Sequence, residues 1–375
     1  MTRIPWKRVN WTASAFLTVT FLTAVVGTPL YLLHFGFDFF QLALFLVMFI
    51  LTGMSITLGY HRLFAHRAFK ASRPVKFFTL VFGACAFEDS ALDWASDHRQ
   101  HHKHVDEDED PYDISKGFFW AHIGWIFFKL YPRTLNNVAD LKKDPLVMWQ
   151  DRWHRQIALV VGLLLPAAIG YLAGGAAGAL GGFLIAGVTR VVAVQHCTFF
   201  INSLCHTIGS RPYDSRTSAR DSFLMAIFTF GEGYHNYHHS FQHDYRNGVK
   251  PWQFDPTKWA IHLLEKLGLV SDLKRVPAEK ILLAELRETK RLADLRLAEI
   301  EKARASGSAR ETCPRLRAAW DAIAERRRQF SRTFAELEAA ATKGVRISRS
   351  RLAHWKAEAA EYLASLNEPD LMSVA

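Results

Sequence analysis

Long apolar runs constrain this chain more than any other feature. They cover residues 11–35, 39–60, 157–172 and 179–201. The first two exceed the roughly 20 residues that a membrane-spanning helix needs. Arg3, Lys7 and Arg8 precede the first run and place the amino terminus in the cytoplasm. The connector at 36–38 has no basic residue, so the second run returns to the cytoplasm at His61. The connector at 173–178 is uncharged, as suits the outer side. A shorter apolar stretch, 75–87, ends in Glu88, Asp89 and Asp93 and is expected to be re-entrant or interfacial. Arg190 falls inside the fourth run and is expected near the cytoplasmic interface.

From Ala278 the composition changes to charged helix formers, with 19 Lys+Arg against 15 Asp+Glu. Leu316, Trp320, Ile323, Phe330, Phe334 and Leu337 follow a 4-3 spacing broken only by Arg327, as do Leu352, Trp355, Ala359, Tyr362 and Leu366. This pattern predicts a helical hairpin or coiled coil, with self-association as its plain use. The expected domains are a cytosolic terminus at 1–10, a membrane domain at 11–277 and a charged extension at 278–375. The net charge of +10 suits an anionic membrane face or an acidic partner. No nucleic-acid motif is present. The four cysteines form no CxxC pair, which argues against a disulfide scaffold, a thiolate zinc site or an iron–sulfur cluster. No cleavable signal peptide is evident.

Histidines gather where the runs end. His61 and His66 form an HxxxxH after the second run. Spacing of five on an α-helix separates the rings by about 140°, so both face one metal only if the helix ends or bends. His98, His101 and His102 form an HxxHH, and so do His235, His238 and His239. Rings at i, i+3 and i+4 share a helix face. His206 follows the fourth run, with Asn202 one turn before it. The topology puts all four segments on the cytoplasmic side, provided that 75–87 does not cross. Nine histidines exceed one metal's needs and fit two, with Asn202 holding a water as a possible further ligand. Asp97 and Glu232 are candidates to fix the imidazole tautomers. His104 and His196 are the strongest of the remaining eight histidines.

These motifs together resemble the membrane fatty acyl desaturases, in particular the stearoyl-CoA Δ9 group and its bacterial branch. Asp110-Pro111-Tyr112 and 116–120 (Lys-Gly-Phe-Phe-Trp) agree with it too, and the resemblance covers about residues 10–277. It implies an all-α membrane protein: four transmembrane helices under a cytosolic helical cap that holds a histidine-rich dimetal site. The helical C-terminal extension lies outside it. The implied cofactors are two iron ions held by the nine histidines and, through water, by Asn202, with O2 as co-substrate. The implied reaction places a cis double bond in a long-chain acyl-CoA. An acyl-lipid desaturase or fatty-acid hydroxylase of the same superfamily is the alternative. A histidine-rich metal transporter or sensor is the remote one. Trp94 resembles a position on the substrate path, and Lys129 is a candidate for headgroup phosphates. Phe45, Phe49 and Met54 are candidates for setting chain depth. No His-Pro-Gly-Gly haem motif or Rossmann fingerprint is present, so electrons are expected from a separate ferredoxin or cytochrome b5-like donor with its reductase. The setting implied is a multi-pass protein of a bacterial inner membrane, with both termini cytoplasmic.

Overall fold

The computed structural model describes residues 6–128, 135–306 and 314–366. The chain forms two compact units. The first comprises 1–210 and 217–275; the second comprises 211–216 and 276–375.

The first unit begins with α1 (Trp11–Phe35) and α2 (Phe39–Ala65). Asn10 caps α1 by accepting from the Ala13 N–H, and Asp38 caps α2 by accepting from Phe40. Then come α3 (Arg73–Ala84), α4 (Ala91–Lys103) and the short α5 (Phe118–His122). Next is α6 (Pro145–His206). The unit closes with α7 (Phe223–Phe228), α8 (His235–Ser240) and α9 (Pro256–Lys266). A two-residue strand β1 (Lys70–Ala71) pairs antiparallel with β2 (Val270–Ser271), Lys70 opposite Ser271.

Three helices, α1, α2 and α6, are long and apolar enough to cross a membrane. Their apolar side chains are largely uncovered: Leu33 is 83% exposed and Leu172 85%. Such surfaces are built for hydrocarbon rather than for water. Helix α6 has 62 residues. A straight helix of that length would reach about 93 Å. It instead doubles back at Gly174 and Gly175, whose torsions are non-helical (Gly175 φ 60°, ψ −145°). The legs 145–173 and 176–206 then pack closely. A Cβ on Gly178 would lie 2.1 Å from the Gly170 carbonyl oxygen, and one on Gly182 would lie 2.2 Å from that of Pro166.

Arg190 sits on the second leg, wholly buried. Its guanidinium donates to the carbonyls of Cys85 (2.5 Å), Gly162 (2.6 Å) and Ala186 (3.2 Å). Backbone acceptors from three segments thus satisfy the guanidinium. Helix α3 spans 12 residues, about 18 Å, well short of the roughly 30 Å hydrocarbon core. Beneath the histidines a core of Tyr60, Leu63, Leu92, Ala95, Val194 and Ile261 joins α2, α4, α6 and α9.

The second unit contains α10 (Ala278–Ser306), α11 (Pro314–Lys343) and α12 (Arg349–Ser365). Each of the three packs on the other two. The seam predicted for a hairpin is shared three ways: Leu282, Leu286 and Leu297 meet Ile323, Phe330, Leu337, Trp355 and Tyr362. Phe330 stacks on Tyr362 at 5.4 Å.

Candidate metal centre

A change of helix type accommodates the His61–His66 spacing. From Ser55 to Ala65, α2 widens into π-turns. The His66 N–H donates to the His61 carbonyl at 3.0 Å. That i→i+5 bond brings residues five apart toward one face. The helix also ends there, with His66 as its C-cap. His98, His101 and His102 project from α4. His206 lies in the tight turn that ends the second leg of α6. His235, His238 and His239 occupy α8. The turn before α8 depends on Gly231, at φ 106°, where a Cβ would lie 2.5 Å from Asp255 Oδ1.

These nine histidines form two groups. His61, His66, His98, His102 and His238 make the first; His101, His206, His235 and His239 make the second. Within each group the ligand atoms lie within 4.8 Å of one another. Each HxxHH is split between the groups. The i, i+4 pair goes one way (His98 with His102, His235 with His239), and the i+3 ring goes the other (His101, His238).

Nε2–Nε2 separations are narrow. In the first group, His66 is 2.8 Å from His98, His102 is 2.9 Å from His238, and His61 is 3.0 Å from His238 and 3.1 Å from His66. In the second, His235 is 3.0 Å from His239 and 3.1 Å from His206, and His101 is 3.2 Å from His239. With a metal–imidazole bond of about 2.1 Å, ligand nitrogens at a right angle are about 3.0 Å apart, and at the tetrahedral angle about 3.4 Å. The observed spacing matches right angles. Five donors also exceed the four of a tetrahedral zinc site. The donor set fits a metal of higher coordination, such as iron.

Four of the outward nitrogens have polar partners, while those of His235 and His238 are buried without one among the described residues. His101 Nδ1 lies 2.8 Å from Asp110 Oδ2, and His206 Nδ1 lies 2.6 Å from Ser218 Oγ. The Ser218 N–H donates to Asp106 at 2.7 Å. His61 Nδ1 lies 2.9 Å from Glu232 Oε2, and His98 Nδ1 lies 3.3 Å from the Tyr112 hydroxyl. A proton on Nδ1 leaves the Nε2 lone pair facing inward. Burial, and then repulsion among the rings, holds His98, His102, His235, His238 and His239 well below the ordinary histidine range. Neutral lone pairs at 3 Å repel unless a cation lies between them. The nine rings therefore form a trap for cations, with carboxylates behind them to balance the charge.

The chain's 39–266 segment matches the model of the fatty acid desaturase family. The chain belongs to that family. It is 40% identical over 281 residues to a probable acyl-CoA desaturase of Schizosaccharomyces pombe, covering 74% of this chain and 57% of that protein. It is 36% identical over 239 residues to the stearoyl-CoA desaturase of Sus scrofa, covering 62% and 66%. It is 34% identical over 274 residues to the sn-1 stearoyl-lipid 9-desaturase of Anabaena variabilis, covering 71% and 94%. The chain thus spans little more than half the length of its fission-yeast relative.

Around this desaturase-family site lie residues that sequence spacing missed. Asp110 is a carboxylate on the α4 box; Asp97 lines a nearby cavity. Glu232 does reach His61. Arg62 donates to Glu232 Oε1 at 2.9 and 3.0 Å and to Asp255 Oδ2 at 3.1 Å. Burial alone would push the Glu232 carboxyl up; Arg62 and His61 outweigh it and hold it below its usual range. His104 lies apart, beside Glu107 at 3.0 Å. His196 joins neither group and bonds His122 at 2.9 Å.

A cavity of about 1220 Å³ opens against the histidines, lined by His61, His98, His235, Trp94, Phe49 and Asn202. Trp94 stacks on His98 with centroids 4.9 Å apart. Phe45 backs Phe49 at 5.9 Å, and the Met54 sulfur accepts from the Thr257 hydroxyl. Lys129 lies outside the described residues.

Proposed function

We propose that this chain is a di-iron acyl-CoA desaturase that places a cis double bond, Δ9, in a saturated long-chain acyl group. One observation carries the reading: two histidine groups at right-angle ligand spacing stand against a large cavity walled in part by Phe49, Ile56, Trp94 and Phe230. A methylene has no usable pKa, so no side-chain acid or base removes its hydrogens. Bound iron would supply the oxidising power, with O2 and two external electrons consumed and water released.

The chain's own residues do the rest. His61, His66, His98, His102 and His238 would hold one iron and His101, His206, His235 and His239 the other, with Asn202 contributing through water. Asp110, Glu232 and Ser218 keep the Nε2 lone pairs aimed inward. Phe49 and Trp94 wall the acyl path and exclude water from it. Redox-inert zinc at the same donors would give no turnover.

The membrane reading has four crossings, α1, α2 and the two legs of α6, with both termini and the histidine cap on the cytoplasmic side of a bacterial inner membrane. The basic residues ahead of α1 support this orientation. A separate ferredoxin or cytochrome b5-like protein supplies the electrons. The apolar seam of α10–α12 holds that unit together, and self-association through these helices stays part of the reading. The Anabaena relative gives weight to a second reading, in which the acyl group is carried on a lipid.

The test is expression in a desaturase-deficient host, with double-bond position read by mass spectrometry. A new cis Δ9 alkene is expected, and its loss in His238→Ala. Purified enzyme given stearoyl-CoA or stearoyl-lipid separates the two carriers. No alkene, with iron and donor supplied, refutes the assignment.

A further inference from the structure

The turn between α3 and α4 carries one carboxyl that the metal site does not use. Glu88 lines the large cavity, and its Oε1 is buried with no partner at full hydrogen-bond distance among the described residues, the Thr198 side chain being the nearest polar influence besides Trp94. Its Oε2 accepts from Trp94 Nε1 at 3.2 Å. The same indole stacks on His98 at 24° and meets His61 edge-on at 6.0 Å. Glu88 therefore touches the indole that braces two of the five rings in the first group.

The backbone is committed to this placement. Phe87 and Asp89, on either side of Glu88, both have positive φ (56° and 64°). Non-glycine residues are strained there, and such strain collects at functional sites. The turn is held by the second leg of α6. Arg190 donates to the Cys85 carbonyl at 2.5 Å, and Gln195 donates to those of Ala86 and Phe87 at 3.0 and 3.3 Å.

We propose that Glu88 is a positioning residue that works as an uncharged carboxylic acid, clamping Trp94 against His98 in a wall that accepts an acyl chain only while Glu88 keeps its proton. This deepens the desaturase reading and rests on it. A charge in that wall would have to be stripped of water by each entering methylene chain, whereas a neutral acid would not. Burial pushes the carboxyl up to about 8, against the opposing pull of Thr198 and Trp94. Asp89 adds a like charge that also favours the neutral form. Tyr60 from α2 and Cys197 from α6 also feel its charge, Arg190 holds the Cys85 carbonyl of the same turn, and Asp93, His154 and Arg155 line the same cavity.

The sign follows directly. Only the protonated fraction binds substrate, so apparent affinity scales with that fraction. KM is flat at lower pH and rises about tenfold per pH unit beyond the midpoint, while kcat at saturation holds. Glu88→Gln keeps an acceptor for Trp94 but cannot ionise, so its KM is expected to stay flat.

The experiment uses the full chain in nanodiscs, iron-loaded and with an electron donor, on stearoyl-CoA from pH 6 to 9.5. In parallel, infrared difference spectra of wild type and Glu88→Gln, with and without iron, follow a protonated-carboxyl stretch. A band that vanishes near pH 8 in wild type only is expected. Trp94→Phe removes the N–H that favours the ion, so it moves that midpoint upward. The proposal is overturned if the band is absent, or if Glu88→Gln keeps the alkaline rise in KM. No turnover by any protein at any pH counts against the desaturase reading alone; the infrared band then decides the protonation of Glu88 by itself.

Discussion

Four of the inward-facing imidazoles, His61, His98, His101 and His206, have a polar partner on the other nitrogen. His101 is held by Asp110 at 2.8 Å, with both side chains almost fully buried. Asp110→Asn offers the ring an amide that can either donate or accept, so the tautomer is no longer fixed. Metal affinity at the His101 group is expected to fall about 10–100-fold, read by chelator competition on purified protein. An unchanged affinity would mean that the ring is oriented by packing against Tyr112 instead. Six of the nine histidines were legible because HxxHH is a local pattern, His61 and His66 as an HxxxxH, and His206 by its place after the fourth run. Asp110, Ser218 and Tyr112 were not legible as their partners. They lie 9, 12 and 14 residues from the rings they touch, and only the folded chain closes those distances. Arg62 was hidden for a similar reason, since its carboxylates Glu232 and Asp255 are 170 and 193 residues away.

At the scale of elements, the sequence announced the long apolar helices and the uncharged connector where α6 reverses. It could not announce the π-turns of α2. An HxxxxH spacing demands some departure from α geometry, but bending, ending and widening satisfy it equally well on paper. The structure widens the helix and then ends it. The partners of Arg190 were also hidden, because an arginine in an apolar run says nothing of the carbonyls it will meet. Those carbonyls come from the turn after α3 and from the first leg of α6. Arg190→Met leaves Cys85 and Gly162 oxygens buried without their donor, at about 1–3 kcal/mol each. A clear drop in thermal midpoint in detergent is expected, larger than that of Arg190→Lys, whose single ammonium can still reach one oxygen. Equal midpoints for the two variants would show that the guanidinium's geometry is not what matters.

On the scale of the whole molecule, the division into two units decides what the C-terminal residues can be needed for. Every histidine of both groups, and every residue lining the cavity, belongs to the first unit. The second unit has a separate apolar core, tied on its surface by Arg287–Glu338 and Arg351–Glu336 pairs, both at 2.7 Å. Exposed pairs of this kind add little, so that unit rests on its buried seam. A chain ending at residue 277 is therefore expected to keep its full iron content and its cis-alkene product. The exception is 211–216, which clusters with the helices removed. There Ser215 meets Arg291, and Asp214 holds Arg216 at 2.7 Å. Without α10 the segment loses that anchor, and trypsin is expected to cut first at Arg211 or Arg216. This segment lies between His206 and His235, so the same truncation also tests the metal site. Two irons per chain, with faster cleavage at 211–216, fits a site built wholly by the first unit. Iron falling toward one per chain before any cleavage would mean that the second unit, acting through this segment, keeps His206 and His235 in register.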